Sequence, residues 1–227
     1  MQTPPNTAIR RETAKQFRGR PFWALGRRIG LICALALGAA LPAAETKTLL
    51  FVGDSLTAGY GLDPGEAFPA LIQKKIDEAR RPWRVVNAGL SGDTTAGGLR
   101  RIDWLLRQRV DMIVIELGGN DGLRGIPPAV SRVNLEAMIE RVRAKHPAAR
   151  IVIAGMQMPV NMGEEHRREF AAIFPAVAEA HDAVLIPFLL EGVGGVPELN
   201  LPDGIHPTAE GHRLVAETVW KVLEPLL

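Results

Sequence analysis

The sequence predicts a three-layer α/β/α sandwich built on a five-stranded, mostly parallel sheet. Five short apolar runs alternate with five longer stretches whose apolar residues recur at helical spacing, the pattern of successive βαβ units. No repeat or linker divides the segment that holds them, and right-handed crossovers then place helices on both faces of one sheet. The 227 residues, 47% apolar and 23% charged, suit a single α/β domain and lie far from disordered or fibrous compositions.

The elements follow in order. The apolar run Thr46 to Val52 makes the first strand, and Phe68 to Ala79, with apolar residues at 68, 71, 72 and 76, the first helix. Arg84 to Asn87 is the second strand and Gly97 to Arg109 the second helix. A third strand at Met112 to Leu117 leads to a helix over Pro127 to Lys145. Its stripe is Val130, Val133, Leu135, Met138, Ile139 and Val142, with Arg132, Glu136, Glu140, Arg141 and Arg143 on the solvated side. Ile151 to Met156 and Ala183 to Ile186 complete the sheet, with helices over Glu164 to Ala180 and Thr208 to Val222. Leu189 to Ile205 is long, irregular and rich in Gly and Pro, a kind of loop that is usually functional or mobile.

Charge divides the chain. Met1 to Ala44 holds seven Arg/Lys against one Glu, so the formal +2 of the whole becomes −4 for Glu45 to Leu227. The basic character therefore belongs to the leader, and no clustered Lys/Arg footprint for nucleic acid remains. Arg27 and Arg28, then 13 apolar residues from Ile29 to Leu41, then Ala43 and Ala44, have the layout of a secretory signal peptide, too short to span a bilayer. The expectation is a leader over 1–44, a single domain over 45–227, and export to the periplasm or medium with no stable membrane insertion after cleavage. Cys33, the one cysteine, falls in the leader, so disulfides, thiolate catalysis and cysteine-bound zinc are excluded for residues 45–227.

In an open parallel sheet, reactive groups gather at the carboxyl ends of the strands. Three glycine-rich polar segments sit there: Gly53-Asp54-Ser55-Leu56-Thr57-Ala58-Gly59, Asn87-Ala88-Gly89-Leu90-Ser91-Gly92-Asp93, and Gly118-Gly119-Asn120-Asp121-Gly122. A fourth, Asp203-Gly204-Ile205-His206-Pro207, precedes the last helix. Each alone reads as a tight turn or a helix cap. Nucleotide binding fails on spacing, because neither the Walker pattern nor Gly-x-Gly-x-x-Gly is present. The nucleophile elbow Gly-x-Ser-x-Gly is absent too, since Thr57 holds its second glycine position.

Together the four segments resemble the SGNH hydrolase family, also called GDSL esterases, whose blocks are marked by Ser, Gly, Asn and His. Gly53-Asp54-Ser55-Leu56, Gly89, Gly118-x-Asn120-Asp121 and Asp203-x-x-His206 match in order, and the resemblance runs from Thr48 to the C-terminus. Gly53 to Leu62, Ser91 to Thr94, Glu116 to Gly125 and Asp203 to Pro207 look closer still to the periplasmic branch described as acyl-CoA thioesterase I, lysophospholipase and arylesterase.

The resemblance implies a serine hydrolase with a flavodoxin-like sheet order, acting on small-molecule or lipid acyl esters and thioesters. Serine needs a base to take its proton, and histidine can take it and later give it to the leaving group, so Ser55 is the candidate nucleophile and His206 its base. Asp203, three residues earlier, can orient the imidazole. By family analogy the oxyanion donors are the backbone N–H groups of Ser55 and Gly89 and the amide of Asn120. Asp54 and Asp93 are expected to brace these loops. Asp54, Asp93, Asp121 and Asp203 would also suit a hard cation, but the serine chemistry accounts for them, and no metal or cofactor is expected.

His146, His166, His181 and His212 are read as structural. Gly192 to Pro197 and Ile126 to Pro128 are expected to border the acyl pocket, and Met156, Met158 and Met162 to fill the core or line that pocket. A monomer that binds no nucleic acid is expected. A carbohydrate O-deacetylase on the same scaffold, and a non-catalytic binding protein, remain the alternatives; the 5% aromatic fraction counts against the first and the intact Ser55, Asp203 and His206 against the second.

Overall fold

The computed structural model describes residues 45–227, and the leader expected over 1–44 lies outside them. Buried apolar runs form the sheet: β1 (Lys47–Gly53), β2 (Trp83–Gly89), β3 (Met112–Glu116), β4 (Arg150–Ala154) and β5 (Val184–Ile186). Their order is β2-β1-β3-β4-β5, and all four pairings are parallel, so the mostly parallel sheet of the sequence reading is wholly parallel. Leu49 to Val52 and Met112 to Ile115 are buried almost completely, as strands covered on both faces must be.

Seven α-helices accompany the sheet among the described residues: α1 (Ser55–Ala58), α2 (Phe68–Glu78), α3 (Thr95–Leu105), α4 (Gly119–Leu123), α5 (Pro128–Lys145), α6 (Glu164–Ala180) and α7 (Ala209–Leu223). α2 packs with α7, while α5 packs with both α3 and α6, giving the two outer layers of the sandwich. The chain leaves β1 for β2 on one side and returns to β3 on the other. That reversal opens a crevice between the carboxyl ends of β1 and β3, where α1 and α4 begin.

Two expectations need correction. The buried face of α5 is Ser131, Leu135, Met138, Ile139 and Val142, whereas Val130 and Val133 are 46% and 61% exposed. Ser131 takes the inward place because its hydroxyl finds a buried acceptor, Asp121 Oδ1 at 3.1 Å, which removes the cost of burying it. The sequence reading also contained neither α1 nor α4, since one turn of helix is too short for any periodicity to register.

Candidate active site

β1 ends at Gly53, and a side chain there would run into Thr57 and Glu116. The glycine lets the chain turn at once into α1, which Asp54 caps by accepting Leu56 N–H at 3.0 Å. Ser55 is the first residue of α1, so its N–H has no acceptor within the helix. Gly59, with φ of 79°, closes the turn by donating its N–H to Ser55 O.

His206 arrives on the loop before α7. Leu201 N–H donates to His206 O at 2.7 Å, Thr208 N–H to Leu199 O at 2.8 Å, and Asn200 Nδ2 to the carbonyls of Val193 and Val196. The stretch that looked irregular is therefore laced to itself. It sets His206 Nε2 2.9 Å from Ser55 Oγ and His206 Nδ1 2.7 Å from Asp203 Oδ2. Asp203 Oδ1 also accepts the N–H groups of Ile205 and His206, at 2.9 and 3.0 Å. Those donors, the His206 backbone N–H foremost, hold the Asp203 carboxyl down at about 2, so it stays ionised and accepts from Nδ1. Nε2 is then left to accept the Ser55 hydroxyl proton. The Tyr60 ring lies over the imidazole, 4.4 Å between centroids.

Gly89 and Asn120 flank this group. A side chain at Gly89 would meet the backbone of α1, with Ala58 Cα and the Thr57 carbonyl carbon both at 2.7 Å, so the glycine is required by the packing of β2 on α1. Gly89 N–H donates to Asn87 Oδ1 at 2.9 Å, and Asn87 Nδ2 in turn donates to Thr57 O at 2.8 Å. Asn120 sits in α4, entered through Gly118 at φ of 125°, a conformation that favours glycine. Its Nδ2 donates to Asp54 Oδ2 at 3.1 Å and to Asp93 O at 2.9 Å.

Asp93 accepts Thr94 N–H and pairs with Arg101 Nε at 2.7 Å. Asp121 accepts Thr95 N–H at 2.9 Å together with the hydroxyls of Thr95 and Ser131. No group of His, Cys, Asp or Glu suited to a metal occurs among the described residues. His212 is buried, its Nδ1 accepts Phe68 N–H at 3.1 Å, and burial pushes it down to about 4. His146 and His166 meet the carbonyls of Leu106 and Gly122.

Sequence reasoning missed three supporting residues. Glu116, wholly buried at the end of β3, accepts the Thr57 hydroxyl at 2.7 Å and Asp54 N–H at 3.2 Å through Oε2, while Oε1 has no partner among the described residues. Burial, reinforced by Asp54, raises the Glu116 carboxyl well above the usual range, and burial pushes Asp54 up to about 6. An acid at the inner end of an apolar strand was the available signal for Glu116. Thr57 and Arg101 had none, because short-range patterns do not show which helix positions reach a strand end.

A cavity of about 540 Å³ opens beside Ser55 and His206. Leu56, Leu123, Met156, Met158, Phe188 and Leu190 give it apolar walls. Gly194 and Gly195 border it as expected, but Ile126 to Pro128 do not, and Met162 packs against the core instead. Ile126 N–H is tied back to Asp121 O at 2.9 Å and Pro128 already opens α5, so the chain there turns away; Leu123 of α4 supplies that wall.

Comparison with known proteins points to one family. Residues 51–214 match the model of the GDSL-like Lipase/Acylhydrolase family. Esterase TesA of Pseudomonas aeruginosa is 44% identical over 202 residues, covering 88% of this chain and 100% of that protein. Thioesterase 1/protease 1/lysophospholipase L1 of Escherichia coli is 38% identical over 186 residues, 82% of this chain and 87% of that one. A crystal structure of TesA superposes with a TM-score of 0.77 at 45% identity, covering 80% of this chain and 100% of the other. The chain belongs to the GDSL-like lipase/acylhydrolase family, the SGNH hydrolases, and is an ester-hydrolysing enzyme.

Proposed function

We propose that the enzyme is an exported serine esterase that works through an acyl-enzyme on Ser55 and takes hydrophobic acyl esters, namely aryl esters, lysophospholipids and acyl thioesters. The observation that carries this reading is the hydrogen-bonded chain Ser55 Oγ, His206 Nε2, His206 Nδ1, Asp203 Oδ2 at the edge of an apolar cavity. Ser55 Oγ attacks the carbonyl carbon as its proton passes to Nε2, and the imidazolium is held by ionised Asp203. The tetrahedral oxyanion takes N–H groups from Ser55, Gly89 and Asn120, drawing the last two off Asn87, Asp54 and the Asp93 carbonyl. His206 protonates the departing alcohol or thiol, and a water activated by the same ring then releases the acid.

Export rests on the leader over 1–44; a monomeric mature chain would begin near Glu45. The names of the Escherichia coli relative support the thioester and lysophospholipid substrates.

Each methylene buried in the cavity is worth about 0.8 kcal/mol, roughly fourfold in kcat/KM. Hydrolysis of p-nitrophenyl esters from acetyl to palmitoyl tests this. Activity should climb from acetyl towards medium chains and vanish in Ser55→Ala. A maximum at acetyl would point instead to a deacetylase, and undiminished turnover by Ser55→Ala would end the proposal.

A further inference from the structure

Arg101, on α3, is bound at three points on two strand-end segments, those at the ends of β1 and β2. Nε donates to Asp93 Oδ2 at 2.7 Å, Nη1 to Ala88 O at 2.7 Å, and Nη2 to Gly53 O at 3.0 Å. Its side chain is 21% exposed and that of Asp93 6%. The local sequence accommodates the arrangement at some cost. A side chain on Gly97 would collide with the Asp93 carboxylate and one on Gly98 with Leu117, so α3 carries two adjacent glycines, each costing roughly 1 kcal/mol of helix propensity.

The acceptors matter because of what lies on the far side of each. Ala88 O and Gly89 N–H belong to one trans peptide unit and point in opposite directions. A cation fixed on the carbonyl therefore fixes the direction of the Gly89 N–H and withdraws electron density from it, strengthening it as a donor. Gly53 O stands in the same relation to Asp54 N–H, which donates to Glu116 beneath Ser55. Asp93, held by the same guanidinium, presents its own carbonyl to Asn120 Nδ2 at 2.9 Å.

We propose that Arg101 is a positioning residue for the hydrolysis: one guanidinium orients and polarises the Gly89 donor through Ala88 O, and sets Asn120 through Asp93. The inference rests on the proposed assignment of Gly89 and Asn120 as oxyanion donors. Such a residue acts on the tetrahedral state and little on the bound ester, so its loss falls on kcat and leaves KM nearly unchanged. Lysine replaces three directed donors with one point charge and recovers only part.

The test measures kcat, KM and thermal melting for wild type, Ser55→Ala, Arg101→Lys and Arg101→Ala on p-nitrophenyl butyrate, with and without guanidinium ion at a concentration that leaves the melts unchanged. Arg101→Ala should lose on the order of 10²-fold in kcat with KM within about threefold. Arg101→Lys should fall between it and wild type, and guanidinium, reaching the partly exposed site, should restore at least about tenfold to Arg101→Ala and nothing to wild type. A folded Arg101→Ala with kcat within about threefold of wild type overturns the inference, as does a loss carried by KM alone. Failure of both Arg101 variants to fold also overturns it, making Arg101 a residue of the fold. Turnover surviving in Ser55→Ala would instead bring down the site assignment itself, whatever Arg101 does.

Discussion

Replacing Gly89 by alanine isolates how tightly β2 and α1 are fitted. The new methyl would stand 2.7 Å from Ala58 Cα and from the Thr57 carbonyl carbon, with Ala58 N closer still, where ordinary contact begins at 3.4 Å. Both neighbours are backbone, so no side chain can swing away, and β2 or α1 must give by about 0.7 Å or more. Overpacking of this kind costs roughly 1–3 kcal/mol of stability. Because α1 opens with Ser55, the same displacement stretches the 2.9 Å contact between Ser55 Oγ and His206 Nε2 towards the limit of a hydrogen bond. A shift near 1 Å at a reacting group costs on the order of 10²-fold in rate, so kcat/KM on a p-nitrophenyl ester should drop by about that factor although the residue 89 N–H is still present. Gly65→Ala is the control. Nothing lies within 4 Å of its added methyl, and it should leave activity unchanged and stability equal or up to about 1 kcal/mol higher. A Gly89→Ala enzyme with wild-type melting and wild-type kcat/KM would refute the packing argument.

Two further outcomes follow from the electrostatics. Asp54 is raised from 3.8 to about 6, so its share of stability is complete below pH 4 and is lost as pH rises through 6, about 3 kcal/mol; His212, lowered from 6.5 to about 4, contributes the opposite slope, losing stability as pH falls from 6.5 to 4. Glu116, raised well above its ordinary range, adds a second falling slope, so wild-type denaturation midpoints in urea should drop as pH rises from about 4.5 to 6, and His212→Asn, which keeps an acceptor for Phe68 N–H, should drop more steeply; an equal or flatter profile in the variant would contradict this. Asp203→Asn preserves the contacts with the Ile205 and His206 N–H groups but turns an NH₂ towards Nδ1, forcing the tautomer in which Nε2 cannot take the serine proton. Its kcat should fall by roughly 10⁴, the size of the same change in other serine triads, and a loss under tenfold would be inconsistent with the assigned role.

The sheet was legible because its strands are runs such as Leu49-Leu50-Phe51-Val52, and the long helices because their apolar residues keep step with 3.6. The phase of α5 was not. Val130 and Val133 fit a stripe as well as Ser131 does badly, and only the buried Asp121 carboxylate, ten residues back and on another element, makes the serine face the better one to bury. At the proposed site, the roles given to Ser55, Asp203 and His206 lie in their side chains, and these residues stood out at strand and helix ends. Residues that act through backbone were invisible in proportion: Arg101 reaches Ala88 O and Gly53 O, 13 and 48 positions away, and nothing in the spacing of a helix announces a carbonyl as its target. Gly89 stood out as an oxyanion donor by family analogy, yet its missing side chain answers first to the backbone of α1.

The carboxyl groups around the imidazole are sorted by environment into two kinds. Asp203, on the loop, receives two backbone N–H groups and the ring itself, so it stays ionised far into acid and can meet an imidazolium at no cost in reorganisation. Asp54 and Glu116 lie under the turn that bears Ser55, and burial drives both upward, so the charge there is costly unless something offsets it. For Asp54, part of the offset is a charged His206, which favours its ionised form. In the proposed mechanism, proton transfer from Ser55 to His206 therefore creates a species that Asp54 and Asp203 both favour. Among the described residues Glu116 Oε1 has no hydrogen-bond partner, and a neutral Glu116, bonded to the Thr57 hydroxyl and Asp54 N–H through Oε2, holds the turn without adding a second buried charge beneath the proposed nucleophile.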